Sequence, residues 1–578
     1  MRKKVVLIVF GLLVTSLVST SATAHPGNSA EAEAYMALQL DNDNRGSRYV
    51  AARCVDGQAA GFDCHNLDLV AHIGLEELGS VFVNDIWGWT DPETGKDYAL
   101  LGGSEGMWVI DISKVSSPWI VGHLPTYTSA GGDTWRDIKV YENHAFVGSE
   151  NTGHGIQVLD LTQVRAISAD DAPVTFTETA RYAGVGNSHN LHINEATGYL
   201  YVVGATSSVS GQSQNIVTID APSTAAGIYQ SSGAAFGPAP DATGVSGDVV
   251  LASDGSANPT EACGPLVGFP AGAIALVDRG TCPFVQKVVN AQAAGATAVI
   301  VANNTSGTIT MGGSDASVVI PSVMVSLADG NTIKAGLAAT GKVSSNPAAD
   351  PCENGGLHIV DINDPANPTS AGCFADHGYV HDTQSVIYTG PDADHQNKEI
   401  CFNSTPDGAD SVSIVDVSDK QNPVALAEHE YDTAGYSHQG WLSPNQDYFL
   451  HGDELDETGH GIPTTTRIWD VRDLDNPVLV GVYTNGKTSI DHNMYTEGRI
   501  SYHSNYTSGL RIYSNGDAIN GNLEEIAHFD MYPENDNASF EGGTWSNYPY
   551  FRNKTIVAVS SIDRGLFLLR TRLAGGAD

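Results

Sequence analysis

The strongest constraint on the fold is an internal repeat. One motif reads apolar-x-apolar-Asp-apolar, and a proline follows its aspartate after seven residues. Alternating apolar residues indicate a strand, and the Asp, Asn and Pro residues predict a tight turn into the next strand. Each unit is too small to bury its own apolar face, so the units must pack on one another. Four copies keep the full spacing, namely Val109–Ile112, Ile359–Ile362, Ile414–Val417 and Ile468–Val471.

A second motif, a pair of polar residues, marks the start of each repeat. Five of the six intervals between successive pairs lie between 52 and 57 residues, and the remaining one, of 192 residues, contains a long insertion. Seven markers predict an all-β fold, a seven-bladed β-propeller interrupted by another domain. The pairs are Asn84-Asp85, Arg136-Asp137, His189-Asn190, His381-Asp382, His438-Gln439, His492-Asn493 and Ser546-Asn547.

The two ends of the repeat region complement each other. The last repeat stops near Leu569 without an outer strand, and an unassigned strand, Leu67–Ile73, precedes the first marker. We expect Leu67–Ile73 to complete the seventh blade and close the ring, because closure protects the edges of the sheets.

The insertion has a different pattern from the repeats. Ala273–Phe284 reads as a buried strand running into a turn, Val285–Ala294 as a helix, and Ala298–Ala302 and Ile320–Val325 as further strands. The order strand, helix, strand predicts a small α/β unit.

The repeats are similar to the LVIVD repeat, and the chain resembles the bacterial choice-of-anchor B family. The most specific stretches are Gly356–Asp361, Tyr436–Trp441, Asp453–Glu457 and Trp545–Pro549. The resemblance implies a propeller at the cell surface or outside the cell, and it implies no established chemistry.

The insertion looks like a protease-associated (PA) domain. The match rests on the turn Val277–Gly280 with Cys282 and Phe284, and on Ile320-Pro321. The resemblance implies a lid or protein-interaction module that is not itself catalytic, and it implies a disulfide between Cys263 and Cys282.

Seven cysteines predict disulfides with one thiol left over, provided that the chain is exported, as its N-terminal pattern predicts. Cys54 and Cys64 lie close together and are the next most expected pair after the one in the insertion. From the family resemblance we expect a cysteine at position 385, opposite Cys401 on a neighbouring strand, but Ser385 stands there. This leaves Cys401 as the expected free, buried thiol, with Cys352 bonded to Cys373.

The N-terminus has the pattern of a secretory signal peptide, with Arg2, Lys3 and Lys4 before an apolar run and a cleavage site at Ala22–Ala24. The chain is therefore predicted to be secreted, periplasmic or at the cell surface, with no membrane span after cleavage. The expected divisions are 1–24 signal peptide, 25–66 N-terminal segment, 67–220 and 348–570 propeller, 221–347 PA domain and 571–578 tail.

The formal net charge of −39 limits the partners. Nucleic acid and anionic membrane surfaces are poor partners for such a chain. The charge is typical either of solubility in a salty medium or of a cationic ligand. A protein or peptide partner is expected, and the oligomeric state is left open.

The histidine markers are the candidate ligand-binding site. His189, His381, His438 and His492 occupy the same place in four repeats, so a ring would bring them together near one end of its central channel. With Asp85, Asp137 and Asp382 they have the donor types that bind zinc or copper, and Asn493 is a further ligand-binding candidate. The alternative is structural, in which these side chains satisfy buried backbone groups between blades.

The densest acidic segment comprises Asp453, Glu454, Asp456 and Glu457. Its carboxylates have the ligand type that calcium prefers, but the spacing and glycine of an EF-hand are missing. We expect a solvated loop at this position.

Two functions remain open from the sequence. The first is a binding or scaffold protein in which the propeller face and the PA domain contact a protein or ligand. The second is a metal-dependent hydrolase or oxidase that uses the histidine-rich site, with the PA domain as a lid. No H-E-x-x-H motif of zinc proteases occurs in the chain, and no catalytic residue is assigned.

Overall fold

The computed structural model describes residues 46–128, 135–207, 215–220, 223–313, 315–346, 352, 355–406 and 410–573. The predicted signal peptide and the last five residues of the predicted tail lie outside these ranges. The described residues of Gln212–Ala349 form one compact unit, and those of Ala24–Gly211 and Asp350–Asp578 form a second. Within the described ranges, the helices are all too short or too polar to cross a bilayer.

The second unit is a β-propeller of seven blades, each built on four antiparallel strands. The first strands of neighbouring blades contact one another in sequence, and that of the last blade contacts that of the first, so they surround a central axis. This confirms the predicted fold.

The strands of each blade are given from the innermost outward. The first three blades are Val83–Thr90, Asp97–Gly103, Gly106–Asp111 and Trp119–Pro125 in blade one; Ile138–Tyr141, His144–Val147, Ile156–Asp160 and Ala180–Tyr182 in blade two; and Asn190–Asn194, Tyr199–Val203, Leu357–Asp361 and Thr369–Phe374 in blade three. The other four are Asp382–Ile387, Glu399–Thr405, Ser411–Asp416 and Val424–Glu430 in blade four; Ser437–Leu442, Tyr448–Asp453, Thr465–Asp470 and Val478–Thr484 in blade five; Met494–Glu497, Ile500–Ser504, Leu510–Ser514 and Glu524–Phe529 in blade six; and Thr544–Tyr548, Ile556–Ser561, Gly565–Thr571 and Leu67–Ile73 in blade seven.

Blade seven takes its outermost strand from the beginning of the propeller sequence. Leu67–Ile73 pairs antiparallel with Gly565–Thr571. The predicted ring closure is therefore confirmed, and the two ends of the propeller are joined by backbone hydrogen bonds.

Short elements decorate the blades. Val174–Thr175 pairs with the outermost strand of blade one, and Phe62–His65 with Gln58–Ala59 extends blade six. A two-stranded ribbon joins Val185–Asn187 to Thr206–Ser207. The described propeller helices are Leu75–Leu78 and Asp456–His460, with 3-10 turns at Leu161–Ala166 and Ala518–Asn520.

The aspartate of the repeat has a clear structural role. In five repeats its carboxylate accepts a hydrogen bond from the backbone N–H two residues later, which holds the turn that leaves the third strand. An Asx turn of this kind pre-organises the reversal into the outermost strand. The donor–acceptor pairs are Ser113 N to Asp111, Thr162 N to Asp160, Asn363 N to Asp361, Ser418 N to Asp416 and Arg472 N to Asp470, at 2.9–3.1 Å.

Apolar residues on the two faces of each blade pack against different neighbours. Ile110 lies in a core with residues of blade seven, whereas Val109, the preceding residue, lies in a core with residues of blade two. Both side chains are fully buried. This alternation is why one repeat cannot fold alone and why the blades must form a closed ring.

The other unit is the inserted α/β domain, with a single seven-stranded mixed sheet. The helix Phe284–Ala293 matches the predicted one, but the helix Leu327–Ala335, capped by Ser326, was not predicted because it contains Gly330 and Asn331. The strand Asn215–Ile219, which the sequence placed in the propeller, pairs within this sheet, so the predicted boundary at 220 is too late. In spatial order the strands are Gly227–Ser231, Asn215–Ile219, Ala339–Ser345, Val245–Leu251, Ile274–Asp278, Ala298–Ala302 and Ser322–Val325, and a 3-10 turn covers Pro259–Glu261.

The cysteine predictions are confirmed. Disulfides join Cys54 to Cys64, Cys263 to Cys282 and Cys352 to Cys373. Cys401 is free and buried, and it is the register partner of Ser385.

Candidate functional site

The four marker histidines form a continuous row of rings. Centroids are 4.4 Å apart between His189 and His381, 4.3 Å between His381 and His438, and 4.4 Å between His438 and His492. Each ring lies at the start of an innermost strand, and none is more than 4% exposed. The structure therefore brings the four predicted residues together and also buries them.

Tryptophans continue this row. The Trp545 ring lies 4.4 Å from His492 and 4.6 Å from Trp135, centroid to centroid. Trp545 occupies the bulge between Thr544 and Ser546, just as His438 occupies the bulge of blade five. The structural marker of blade seven is therefore Trp545, one residue before the predicted Ser546-Asn547 pair, because the bulge shifts the register.

One carboxylate faces two histidines of the row. Nε2 of His438 lies 3.7 Å from Oε2 of Glu454, and Nε2 of His492 lies 3.6 Å from Oε1 of the same residue. One ligand atom from each of the three residues lies within 4.8 Å of those of the other two. The Tyr506 hydroxyl donates a hydrogen bond of 2.7 Å to Oε1 of Glu454 and orients the carboxylate.

Backbone carbonyls set the tautomers of two of the rings. Nδ1 of His492 lies 2.6 Å from the carbonyl oxygen of Trp545, and Nδ1 of His381 lies 2.8 Å from that of His438. A carbonyl oxygen can only accept, so both Nδ1 atoms carry a proton. In neutral His492 the Nε2 lone pair therefore points at Glu454. At the end of the row, Glu150 accepts from Nδ1 of His189.

The acidic segment is buried, so the expected solvated loop is wrong. Asp453, Glu454 and Asp456 are fully buried and Glu457 is 3% exposed. The segment ends the second strand of blade five and turns into the short helix Asp456–His460, which places it inside the propeller. Backbone N–H groups of Gly435 and Tyr436 donate to Asp453.

The charges in this region are unbalanced. Arg467, itself 1% exposed, forms an ion pair of 2.8 Å with Asp456. Burial, followed by repulsion from neighbouring carboxylates, raises the pKa of Asp456 to about 6 and that of Glu457 to about 12. The same causes raise the pKa of Asp491, beside His492, well above its usual range.

The second members of the marker pairs form the next level of the channel. Lys139 forms an ion pair with Asp137 and lies 3.8 Å from Asp85. Burial and the charge of Asp137 raise the pKa of Asp85 well above its usual range and that of the partly exposed Asp382 to about 8. Asn493 is also buried at this level. Lys139 thus serves as the common counterion of the three aspartates.

Aromatic residues that the sequence analysis missed line a pocket at the far ends of the innermost strands. We call this the aromatic pocket; its volume is about 220 Å³ and its lining includes Trp87, Trp441, Tyr548 and Tyr550. An adjoining pocket of about 440 Å³ shares three of these residues and adds Glu142. Their common spacing could have revealed them, because Trp87, Trp441 and Tyr548 each lie three residues after the first residue of a structural marker, namely Asn84, His438 and Trp545, and so face the same way.

The inner side of the aromatic pocket is tightly packed. Ring centroids are 5.1 Å apart between Trp87 and Tyr548 and 4.9 Å between Trp441 and Tyr495. The ammonium of Lys139 lies 4.5 Å from the centroid of Trp87. The carboxylates of Glu142 and Glu195 are exposed at the outer side. The pocket therefore combines aromatic faces with negative charge.

Comparison with protein-family models identifies two components of this chain. Residues 239–333 match the PA domain, and residues 96–126, 131–160 and 352–376 match the LVIVD repeat. The matched repeats fall in the first three blades, and the PA match falls in the inserted unit. Together they fit an extracellular binding or scaffold role.

The curated relatives match over a limited region. Signal peptide peptidase-like 2 of Arabidopsis thaliana is 36% identical over 107 residues, which cover 17% of this chain and 20% of the relative. Receptor homology region, transmembrane domain- and RING domain-containing protein 1 of Oryza sativa subsp. japonica is 39% identical over 107 residues, covering 18% and 19%. The chain thus spans about a fifth of the length of these relatives.

Solved structures show weak overall similarity. An aminopeptidase from Aneurinibacillus sp. strain AM-1 shares 25% identity over 26% of this chain and 33% of that chain, with a TM-score of 0.17. A protein from Lactobacillus plantarum shares 10% identity over 83% and 88%, with a TM-score of 0.38.

Proposed function

We propose that this chain, an LVIVD-repeat propeller carrying a PA domain, is an extracellular binding protein whose aromatic pocket receives a basic side chain of a protein or peptide partner. The observation that carries the proposal is the presence of Trp87, Trp441, Tyr548 and Tyr550 beside the exposed carboxylates of Glu142 and Glu195. Aromatic faces attract an ammonium or guanidinium group, and nearby carboxylates strengthen that attraction.

The charge of the pocket favours a cation over a neutral ligand. Lys139, which lines the pocket, is paired with Asp137 and lies beside Asp85, so its ammonium adds no net positive charge to the inner side. The formal net charge of −39 attracts cationic partners from a distance. The three disulfides are consistent with an oxidising compartment outside the cytoplasm.

The test compares peptides and variants by isothermal titration calorimetry. A short peptide with a central arginine should bind, and the same peptide with citrulline should bind roughly tenfold more weakly or worse, since it lacks the charge. The double variant Glu142→Gln/Glu195→Gln should lose most of the affinity. The matched control, Glu430→Gln/Glu524→Gln, changes two exposed carboxylates on outermost strands and should bind like the wild type.

Two results would overturn this proposal. One is equal binding of the arginine and citrulline peptides. The other is binding of a neutral oligosaccharide alone, which would assign the aromatic faces to sugar stacking.

A second candidate function, a metal-dependent enzyme, is favoured by the arrangement of His438, Glu454 and His492. Their burial argues for a structural ion over a catalytic one, because a catalytic metal keeps a ligand position open to substrate. Metal-dependent turnover of any substrate, abolished by Glu454→Gln, would support the enzyme.

A further inference from the structure

We propose that His438, Glu454 and His492 bind a divalent transition-metal ion, most suitably zinc, that joins blades five and six. His438 and Glu454 belong to blade five, whereas His492 lies at the start of blade six. The ion would lie inside the propeller, in the histidine row, and would act in stability. The proposal is independent of the proposed partner-binding pocket.

The distances suit a shared ion. Zinc binds imidazole nitrogen and carboxylate oxygen at about 2.0–2.2 Å, which places neighbouring donors of a tetrahedral site roughly 3.3–3.5 Å apart. The two nitrogen–oxygen distances to Glu454, 3.7 and 3.6 Å, exceed this by a few tenths of an ångström. Small rotations of the rings would bring the donors onto one ion. The three residues therefore offer one donor atom each to a shared ion.

The orientation of the donors also suits a metal. The carbonyl of Trp545 holds the proton of His492 on Nδ1, so Nε2 is the atom presented to Glu454. A hydrogen bond from the outer nitrogen to a carbonyl is the usual way in which proteins orient a histidine ligand. Tyr506 donates to Glu454 and fixes its carboxylate in the same manner.

The surroundings favour a cation at this place. Asp453, Asp456 and Asp491 are buried close by, and Arg467 is the counterion among them. Neutral His492 and ionised Glu454 would present two acceptors to each other at 3.6 Å, which is unfavourable unless a cation lies between them. That cation is either a proton on the imidazole or the metal ion, and the experiment separates these two.

The first measurement is metal analysis of full-length protein purified without chelator. We expect close to one zinc ion per chain. The variant His492→Gln should lose it, whereas His503→Gln should keep it, because His503 is equally buried in the same blade but bonds Ser501. After removal of metal by a chelator, added zinc should raise the Tm of the wild type and of His503→Gln.

The second measurement does not depend on the stability of a variant. Cobalt added to the chelator-treated wild-type protein should give the intense visible absorption of a tetrahedral site with nitrogen and oxygen donors. Zinc should displace cobalt and abolish this absorption. A folded, metal-free wild type with neither cobalt absorption nor a Tm response to zinc would overturn the proposal and assign the proton to this position.

Discussion

Leu69 and Leu569, from opposite ends of the described propeller, are register partners in blade seven. Leu569 is fully buried and Leu69 is 2% exposed, and both belong to one apolar core with Phe529 of blade six. The cohesion of the ring therefore depends on a contact between residues from the two ends of the propeller sequence.

Truncation of this contact should destabilise the whole propeller. Leu69→Ala should lower the free energy of unfolding by about 2–5 kcal/mol, since it removes buried methyl groups and leaves a cavity. Urea denaturation followed by tryptophan fluorescence would measure it. Val478→Ala, at a valine that is 56% exposed on an outermost strand, should change the free energy little. Equal losses in the two variants would contradict a closing role for Leu69.

Protonation of His72 at acidic pH should destabilise the strand Leu67–Ile73, which closes the ring. Its Nε2 donates to the carbonyl of Arg564 and its Nδ1 accepts from the N–H of Tyr49. Burial lowers the pKa of His72 from 6.5 to about 4. Because the folded state binds this proton more weakly than the unfolded state, the stabilisation is present above pH 6.5 and is lost as the pH falls towards 4.

The variant His72→Gln isolates this effect. Its free energy of unfolding, measured by urea denaturation at a series of pH values, should depend less on pH between about 6.5 and 4 than that of the wild type. The difference should reach roughly 1–3 kcal/mol, the lower end reflecting the partial exposure of the ring. Parallel curves for the two proteins would exclude His72 as the cause.

Cys401 should be inert in the folded protein. Burial, followed by the charge of Glu399, raises the pKa of its thiol to about 12, so little thiolate forms at neutral pH. A thiol reagent should find no reactive group in the native protein and one thiol per chain after denaturation without reductant.

The register of blade four predicts an engineered disulfide. Ser385→Cys places a second thiol opposite Cys401, and oxidation should leave no free thiol after denaturation. Ser413→Cys, a buried serine opposite Asn403, should leave two. Two free thiols in both variants would show that the pairing of Ser385 with Cys401 is wrong.

The inserted domain should be separable from the propeller. The strands on either side of it, Tyr199–Val203 and Leu357–Asp361, pair directly in blade three, so a short linker can replace the insertion. Removal of residues 212–349 with a Gly/Ser linker should leave a propeller that unfolds cooperatively in calorimetry. The excised segment should fold alone on its own core. A molten propeller after excision would show that the insertion is needed for folding.

The repeat sequence by itself determined the architecture. The alternating apolar residues, the turn aspartates and the unmatched strand Leu67–Ile73 are local patterns, and a closed ring of seven such units buries both faces of each unit. The cysteine pairs followed in the same way, with the help of a family resemblance. The β-bulges could not be predicted from the repeat, because an extra residue shifts the strand register without changing the apolar pattern, as at Trp545.

Only the tertiary structure decided what lies on the axis. Glu454 is one acid among several in the sequence, and its position between His438 and His492 depends on how blades five and six pack. The same packing buries Asp453–Glu457. The sequence predicted a solvated loop there because a polar composition says nothing about how deeply a segment is buried. Trp87, Trp441 and Tyr548 likewise meet only when the ring closes, since they are far apart in the chain and converge through the common direction of the innermost strands.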